Sequence, residues 1–237
     1  MDPKEYRAGQ SSTNFWHRCK NDLIGILMSK ATGGKARRLK ILNIGVGTGD
    51  DLKVLNRYGD NYIVDINKEA LDLIDRSLYL KKAVADACRL PYEDGFFDIV
   101  VSFDVFEHIE DDKSAAAEAF RVLKKGGTML FSVPAFPVLF SSHDKAAEHK
   151  RRYDKRMLRQ LFNRFGNTRL YYWNSILFLP WAALRLMKKR SKPKLEYMRS
   201  PSALNRLFYP ILRIDNYLIK NRISPLFGLT IIGHCRK

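Results

Sequence analysis

The sequence predicts an α/β fold with a ligand site at the carboxyl edge of its sheet. Three observations carry the prediction: apolar runs of strand length alternate with helix-compatible stretches, the first run breaks into glycines, and the next two each close on an aspartate. Residues 41–49 read Ile-Leu-Asn-Ile-Gly-Val-Gly-Thr-Gly, with a polar, helix-compatible stretch opening at Asp50. Glycines suit that turn because a ligand there approaches bare backbone amides at a helix N-terminus. The run Asn61 to Val64 ends at Asp65, a carboxylate placed at a strand tip to grip a ribose diol. Ala83 to Ala85 closes on Asp86-Ala87, and Phe97 to Phe103 opens onto Asp104-Val-Phe-Glu107-His108. A helical stretch follows, then Gly126-Gly127, read as a helix-to-strand turn without chemistry, and a strand over Met129 to Val133.

The spacing G-x-G-x-G differs from the G-x-G-x-x-G of dinucleotide enzymes. Together with the string from Asp94 to Pro134, it resembles the core of class I S-adenosylmethionine-dependent methyltransferases, of the type 11/12-like group, over roughly residues 39–173. The resemblance implies a Rossmann-like, seven-stranded, mostly parallel sheet with helices on both faces and an antiparallel last strand. It implies S-adenosylmethionine as cofactor and S-adenosylhomocysteine as product. The implied cofactor-binding residues are Asn43, Gly45, Gly47, Gly49, Asp65, Ile66, Asp86, Ala87, Phe103, Asp104 and His108. Phe15-Trp16-His17-Arg18, Ser142-His143-Asp144 and His149-Lys-Arg151-Arg152-Tyr153 resemble a bacterial and archaeal subgroup whose members commonly accompany glycan and surface-lipid assembly enzymes. One departure stands out. The family usually carries an acidic residue where this chain has Asn43, so weaker cofactor binding is expected.

A chain of 237 residues, 46% hydrophobic, is sized for one methyltransferase domain. Within it we expect an N-terminal helical cap (1–38), a cofactor-binding core (39–173), a helical insertion or lid (174–225) and a last strand (226–237). Cys19, Cys88 and Cys235 are widely spaced, odd in number and form no C-x-x-C pair, so neither a disulfide framework nor a zinc site is indicated. With no apolar leader and no run of about 18 apolar residues, the expected location is cytoplasmic, extending to the inner membrane face. Residues 1–144 hold 20 Lys+Arg against 21 Asp+Glu, net −1, whereas residues 145–237 hold 22 against 4, net +18. A field of that size favours anionic partners, whether phospholipid headgroups, phosphorylated lipid carriers or nucleic acid; the plain alternative is a solvated basic surface.

Beyond strand five, Lys155 to Phe165 has helical spacing and Arg169 to Trp173 reads as a sixth strand. The seventh is Leu226 to Cys235, which leaves residues 174–225 as an insertion. Ile176 to Met187 is apolar, bears Trp181, and stops in a basic cluster of Lys188, Lys189, Arg190, Lys192 and Lys194. Ala203 to Lys220 is a second helical stretch that Pro210 would kink or divide. Three readings stay open: peripheral docking on an anionic membrane through 176–194, a lid over a lipid-like substrate, or two helices packed on the sheet.

Methyl transfer from a sulfonium needs donor and acceptor held collinear, with a general base where the acceptor is a hydroxyl. His143, His149 and Tyr153 are the catalytic candidates and Arg151 and Arg152 the substrate-binding ones, since arginine forks match phosphate or carboxylate. Each has a plainer reading: His108 packs over the cofactor's methionine arm, His143 beside Asp144 makes a loop hydrogen bond, and His149 to Tyr153 marks a helix boundary. The expected acceptor is a small-molecule or lipid-linked anionic compound of glycan or lipid metabolism. An RNA methyltransferase using the basic C-terminal region is the alternative, although Ser102-Phe103-Asp104-Val105 lacks the Asn/Asp-Pro-Pro-aromatic loop of base-amine enzymes. A non-catalytic S-adenosylmethionine-binding protein is the third class. No metal is expected.

Overall fold

A computed structural model describes residues 14–33, 38–189, 191–192 and 202–237. Seven strands, β1 (Leu39–Ile44), β2 (Gly59–Asp65), β3 (Lys81–Val84), β4 (Phe97–Phe103), β5 (Leu123–Pro134), β6 (Gly166–Trp173) and β7 (Thr230–Arg236), form one sheet. Their order is β3-β2-β1-β4-β5-β7-β6. β1 to β5 pair in parallel, and β7 runs antiparallel to both β5 and β6. This is the sheet that the resemblance implied.

Near-continuous apolar runs are what a sheet covered on both faces requires, and alternate residues go to opposite layers. Leu42, Val64, Val100, Phe131 and Ile231 point into one core, where they meet Ala115, Ala116 and Ala119 of α4 (Asp112–Val122) and Leu158 of α6 (Lys155–Leu161). Their neighbours Ile41, Ile63, Val101, Leu130 and Ile232 point into the other. That second core is closed by α1 (Phe15–Thr32), α2 (Leu52–Leu55), α3 (Lys68–Asp72) and α8 (Ser202–Lys220). α5 (Ser142–Ala146) and α7 (Phe178–Met187) lie beyond the ends of β5 and β6.

Local chemistry sets several helix ends. Asn14 caps α1 by accepting from the Trp16 amide, and Gly33 ends it at φ 59°. Asp111 and Asp154 cap α4 and α6 in the same way. Ser141 and Asp144 form a capping box on α5.

Three sequence expectations are corrected. Gly126 and Gly127 lie inside β5, where the register against β4 shifts between Phe97 and Ile99; the pair supports a strand irregularity rather than a separate turn. Pro210 does not divide its helix: α8 runs unbroken past it, with Pro210 on the exposed side, where water reaches the backbone carbonyl it deprives of a partner. The insertion does not act as one lid. α8 lies along α1, with Asn216 donating to the Cys19 carbonyl and accepting from Trp173 Nε1, and Lys30 donating to the Ile219 carbonyl. Among the described residues of the insertion, Asn174 and α7 reach the carboxyl edge, while α8 packs into the second core.

Candidate active site

The strand ends of β1, β2, β4 and β5 open on two joined cavities. The first, about 760 Å³, lies beyond β2 and is lined by Asp65, Ile66, Asp86 and Ala87 with apolar walls from Leu73 and Ile74. The second, about 460 Å³, lies beyond β1 and β4 and takes in Asn43, Phe103 and Asp104. Gly45, Gly47, Thr48, Asp104, His108 and Ala147 line both, so an elongated ligand passes from one into the other across the glycine turn.

Gly45 has φ 71°, and a Cβ there would come within 2.4 Å of the Val105 side chain. Only glycine keeps that turn tight. Asp65 Oδ2 accepts from the Gly47 amide at 3.0 Å and Oδ1 from the Asn67 amide at 2.9 Å. The carboxylate thereby braces the turn while keeping lone pairs for a ligand diol in the larger cavity. Gly49 is a correction: it is buried, lines neither cavity, and a Cβ there would meet Ile74 at 2.8 Å, so it serves packing rather than the cofactor.

Asn43 is buried and donates to Asp51 Oδ2 at 2.9 Å. Asp51 lines the smaller cavity, and burial pushes its carboxyl up to about 6. The anionic group absent at position 43 is therefore present one side chain away. Asp104, at φ 57°, accepts from Ser132 Oγ at 2.9 Å and pairs with Lys20 of α1. A non-glycine residue held at positive φ beside a cavity is the kind of strain that functional sites retain.

Across the cavity, Asp144 is the hub. Fully buried, it accepts from Arg152 Nε at 2.8 Å, Arg185 Nη1 at 3.2 Å, the Ser141 amide at 2.9 Å and His149 Nδ1 at 3.0 Å. Burial alone would raise its pKa, but His149 and the two guanidinium groups overcome this and hold the carboxyl well below the usual range. An ionised carboxylate only accepts, so Nδ1 of His149 donates to it and Nε2 is the ring nitrogen turned away from that bond. His143 lines the same cavity, and burial together with the Arg185 charge lowers its pKa to about 4, so the ring is neutral at pH 7. The imidazole that Asp144 orients through Nδ1 is that of His149, five residues on.

Tyr153 and Arg151 are further corrections. Tyr153 is buried, its hydroxyl donating to the Phe106 carbonyl at 3.0 Å and lying 2.8 Å from Asp112 Oδ2, and it lines neither cavity. Burial and Asp112 push the phenol far above its ordinary pKa. It holds the turn at Phe106–His108 and is no proton carrier. Arg151 is spent on the Glu110 carbonyl and the Asp112 carboxylate, also away from the cavities, whereas Arg152 lines the smaller one but is committed to Asp144 and the Ala135 carbonyl.

Residues that sequence reasoning missed come from outside the core. His17 and Lys20 of α1 and Trp181, Leu184 and Arg185 of α7 line the smaller cavity. Trp181 also packs toward the second core, so its indole is turned inward instead of to a membrane. The helical period over Phe15–Thr32 offered one signal, since His17 and Lys20, three apart, share a face. Glu107 stood in the quoted stretch after the fourth strand without an assigned role, and Asp51 lies just past the glycine turn.

The glycine turn, the brace on Asp65 and the two cavities lie together at the carboxyl edge of the sheet. Residues 42–131 match the family described as "Methyltransferase domain". The chain is 36% identical over 110 residues to the ubiquinone/menaquinone biosynthesis C-methyltransferase UbiE of Laribacter hongkongensis, covering 42% of this chain and 45% of that one. It is 37% identical over 101 residues to the malonyl-[acyl-carrier protein] O-methyltransferase of Geobacter sulfurreducens, covering 40% and 38%. The chain thus spans less than half the length of either relative. Among solved structures, an S-adenosylmethionine-dependent methyltransferase from Archaeoglobus fulgidus shares the fold at TM-score 0.59 and 15% identity, over 92% of this chain and 94% of that one. Phosphoethanolamine N-methyltransferase 2 of Haemonchus contortus, in complex with S-adenosyl-L-methionine, shares it at TM-score 0.59 and 17% identity, over 90% and 52%. Residues 42–131 of this chain thus match a methyltransferase domain, and the chain shares its fold with S-adenosylmethionine-dependent methyltransferases.

Proposed function

We propose that the protein transfers a methyl group from S-adenosylmethionine to a small-molecule or lipid-linked anionic acceptor, in glycan or lipid metabolism. The observation that carries this reading is the joining of the two cavities at the Gly45–Gly47 turn, with a diol-gripping carboxylate in one and an oriented imidazole in the other. When bound, the cofactor supplies an electrophilic methyl group, so the protein's task is alignment and exclusion of water. In this reading Asp65 holds the ribose, Asp86 and Ala87 flank the adenine, and Asn43, Asp51, Lys20 and Asp104 surround the amino-acid end. His149 Nε2 is the atom this chain offers to an acceptor hydroxyl, with Asp144 fixing its tautomer.

The walls of the smaller cavity support this acceptor class. Trp181 and Leu184 give it an apolar side, and Arg185 and Lys188 set positive charge at its rim. Such a wall fits an amphiphile with an acidic head. The relatives' names are compatible with this: one is a ubiquinone/menaquinone biosynthesis C-methyltransferase and the other a malonyl-[acyl-carrier protein] O-methyltransferase.

Access from a membrane surface belongs to the same proposal. No helix of the described residues is long and apolar enough to cross a bilayer. On α7, Leu179, Leu186 and Met187 are exposed and run into Lys188, Lys189 and Lys192, a pairing suited to an anionic interface. Arg190 and Lys194, also expected in the cluster, lie outside the described residues. The test is incubation with methyl-labelled S-adenosylmethionine and separate lipid, polar-metabolite and RNA fractions. Label in an acidic lipid or small acidic metabolite supports the proposal; label confined to RNA, or transferred to no fraction, contradicts it.

A further inference from the structure

One buried carboxyl group has no role in the reading above. Glu107, in the turn after β4, is 1% exposed, and its Oε2 has no hydrogen-bond partner among the described residues. A carboxyl oxygen buried in that state is rare, because its desolvation goes unrepaid. Beside it stand two imidazoles. The His108 and His149 rings meet edge to face with centroids 4.7 Å apart. One ligating atom from each of Glu107, His108 and His149 lies within 4.8 Å of the others.

The surroundings have the form that metal sites use. His149 is held at Nδ1 by the Asp144 carboxylate, and Asp144 is held by Arg152 and Arg185, so the ring is fixed in place with Nε2 directed away from that support. A carboxylate behind a ligating histidine is the usual way to fix tautomer and raise basicity. All three residues line the smaller cavity, and His108 also lines the larger one.

We infer that Glu107, His108 and His149 form a three-ligand site for a divalent cation of the zinc class, with its open coordination position toward the acceptor. Two imidazole nitrogens and one carboxylate oxygen suit Zn²⁺, Co²⁺ or Mn²⁺ better than Mg²⁺, which favours all-oxygen octahedra. Bonds of about 2.0–2.1 Å put tetrahedral ligand atoms roughly 3.3 Å apart, so the cluster closes by about 1–1.5 Å on binding. His108, the exposed member of the three, is the one to rotate, exchanging its hydrogen bond to the Glu148 backbone for the ion. With a cation present, His149 holds the ion, and the ion rather than the ring meets the acceptor oxygen. That role rests on the methyltransferase reading; cation binding itself does not.

The test is calorimetric titration of the chelator-treated full chain with ZnCl₂ and, in parallel, CoCl₂ with visible absorption. The expected result is one equivalent bound, tetrahedral-type cobalt bands, and no competition from excess Mg²⁺. His108→Ala, at an exposed position that tolerates truncation, and Glu107→Gln each weaken binding at least tenfold, while His234→Ala on β7 leaves it within twofold. Failure to bind either ion at micromolar concentration, or equal affinity in wild type and His108→Ala, overturns the site. Titration with S-adenosylhomocysteine separates the two ideas: if that ligand binds and the cations do not, the cation site alone has failed.

Discussion

Arg185 of α7 reaches Asp144 at 3.2 Å, tying the helix that roofs the smaller cavity to the carboxylate that orients His149. Asp144 is fully buried and Arg185 largely so, which gives this pair more weight than a surface ion pair. Arg185→Met is therefore expected to raise the KM for the acceptor and lower kcat together, with cofactor affinity unchanged. Steady-state kinetics with the acceptor, and calorimetry with S-adenosylhomocysteine, separate these effects.

His149 and Tyr153, four residues apart, should behave differently. His149→Gln is expected to lower turnover by about 10²–10⁴-fold, the range for loss of a positioned acid-base group. Tyr153→Phe removes a buried hydroxyl bonded to Phe106 and Asp112, so its cost falls on stability, about 1–3 kcal/mol by denaturant unfolding. Its turnover should fall less than tenfold. A Tyr153→Phe enzyme that folds normally and is as inactive as His149→Gln would restore the phenol to catalysis.

Asp51 gives the unliganded protein a pH signature. Its folded-state pKa, raised to about 6 by burial, exceeds the ordinary 3.8, so its ionisation opposes folding. This contribution is most favourable below about pH 4 and is lost as pH rises through 6. At ~1.4 kcal/mol for each pH unit between the two values, the loss is at most about 3 kcal/mol. Asp51→Asn should flatten that decline in urea melts at pH 5 and 8, and should weaken S-adenosylmethionine binding if Asp51 substitutes for the family's acidic residue at position 43.

The membrane proposal has its own readout. Three described lysines beside Leu179 and Met187, at about 1 kcal/mol each near an anionic surface, suffice for reversible, salt-sensitive attachment. Cosedimentation with phosphatidylglycerol vesicles should exceed that with phosphatidylcholine and fall at high salt. It should also drop in Lys188→Gln/Lys189→Gln/Lys192→Gln. Equal sedimentation with both vesicle types would remove the membrane from the account.

The core was legible because its signals are local. The glycine turn needs one backbone geometry, Asp65 and Asp86 stand at strand tips, and each apolar run divides between two cores by simple alternation, as Ile41 and Leu42 do. The acceptor side was less legible because its contacts are long-range. Asp144 sits beside His143 in sequence, yet the hydrogen bond goes to His149, since the capping box on α5 fixes the carboxylate toward the returning chain. Nothing in the spacing of Arg185 or Lys20 marks them for residues 41 and 84 positions away. Tyr153 and Arg151 shared a motif with His149, but the extended backbone there sends neighbouring side chains to different partners, and a five-residue motif does not resolve which faces the cavity.

The most direct measurement is calorimetric titration of the full chain with S-adenosylhomocysteine, beside Asp65→Ala. The account predicts one site for the wild-type protein and a loss of roughly 1.5–3 kcal/mol of binding free energy in the variant, about 10- to 150-fold in Kd, from the carboxylate's lost hydrogen bonds. Absence of S-adenosylhomocysteine and S-adenosylmethionine binding, with tight binding of NAD at the same turn, would contradict it.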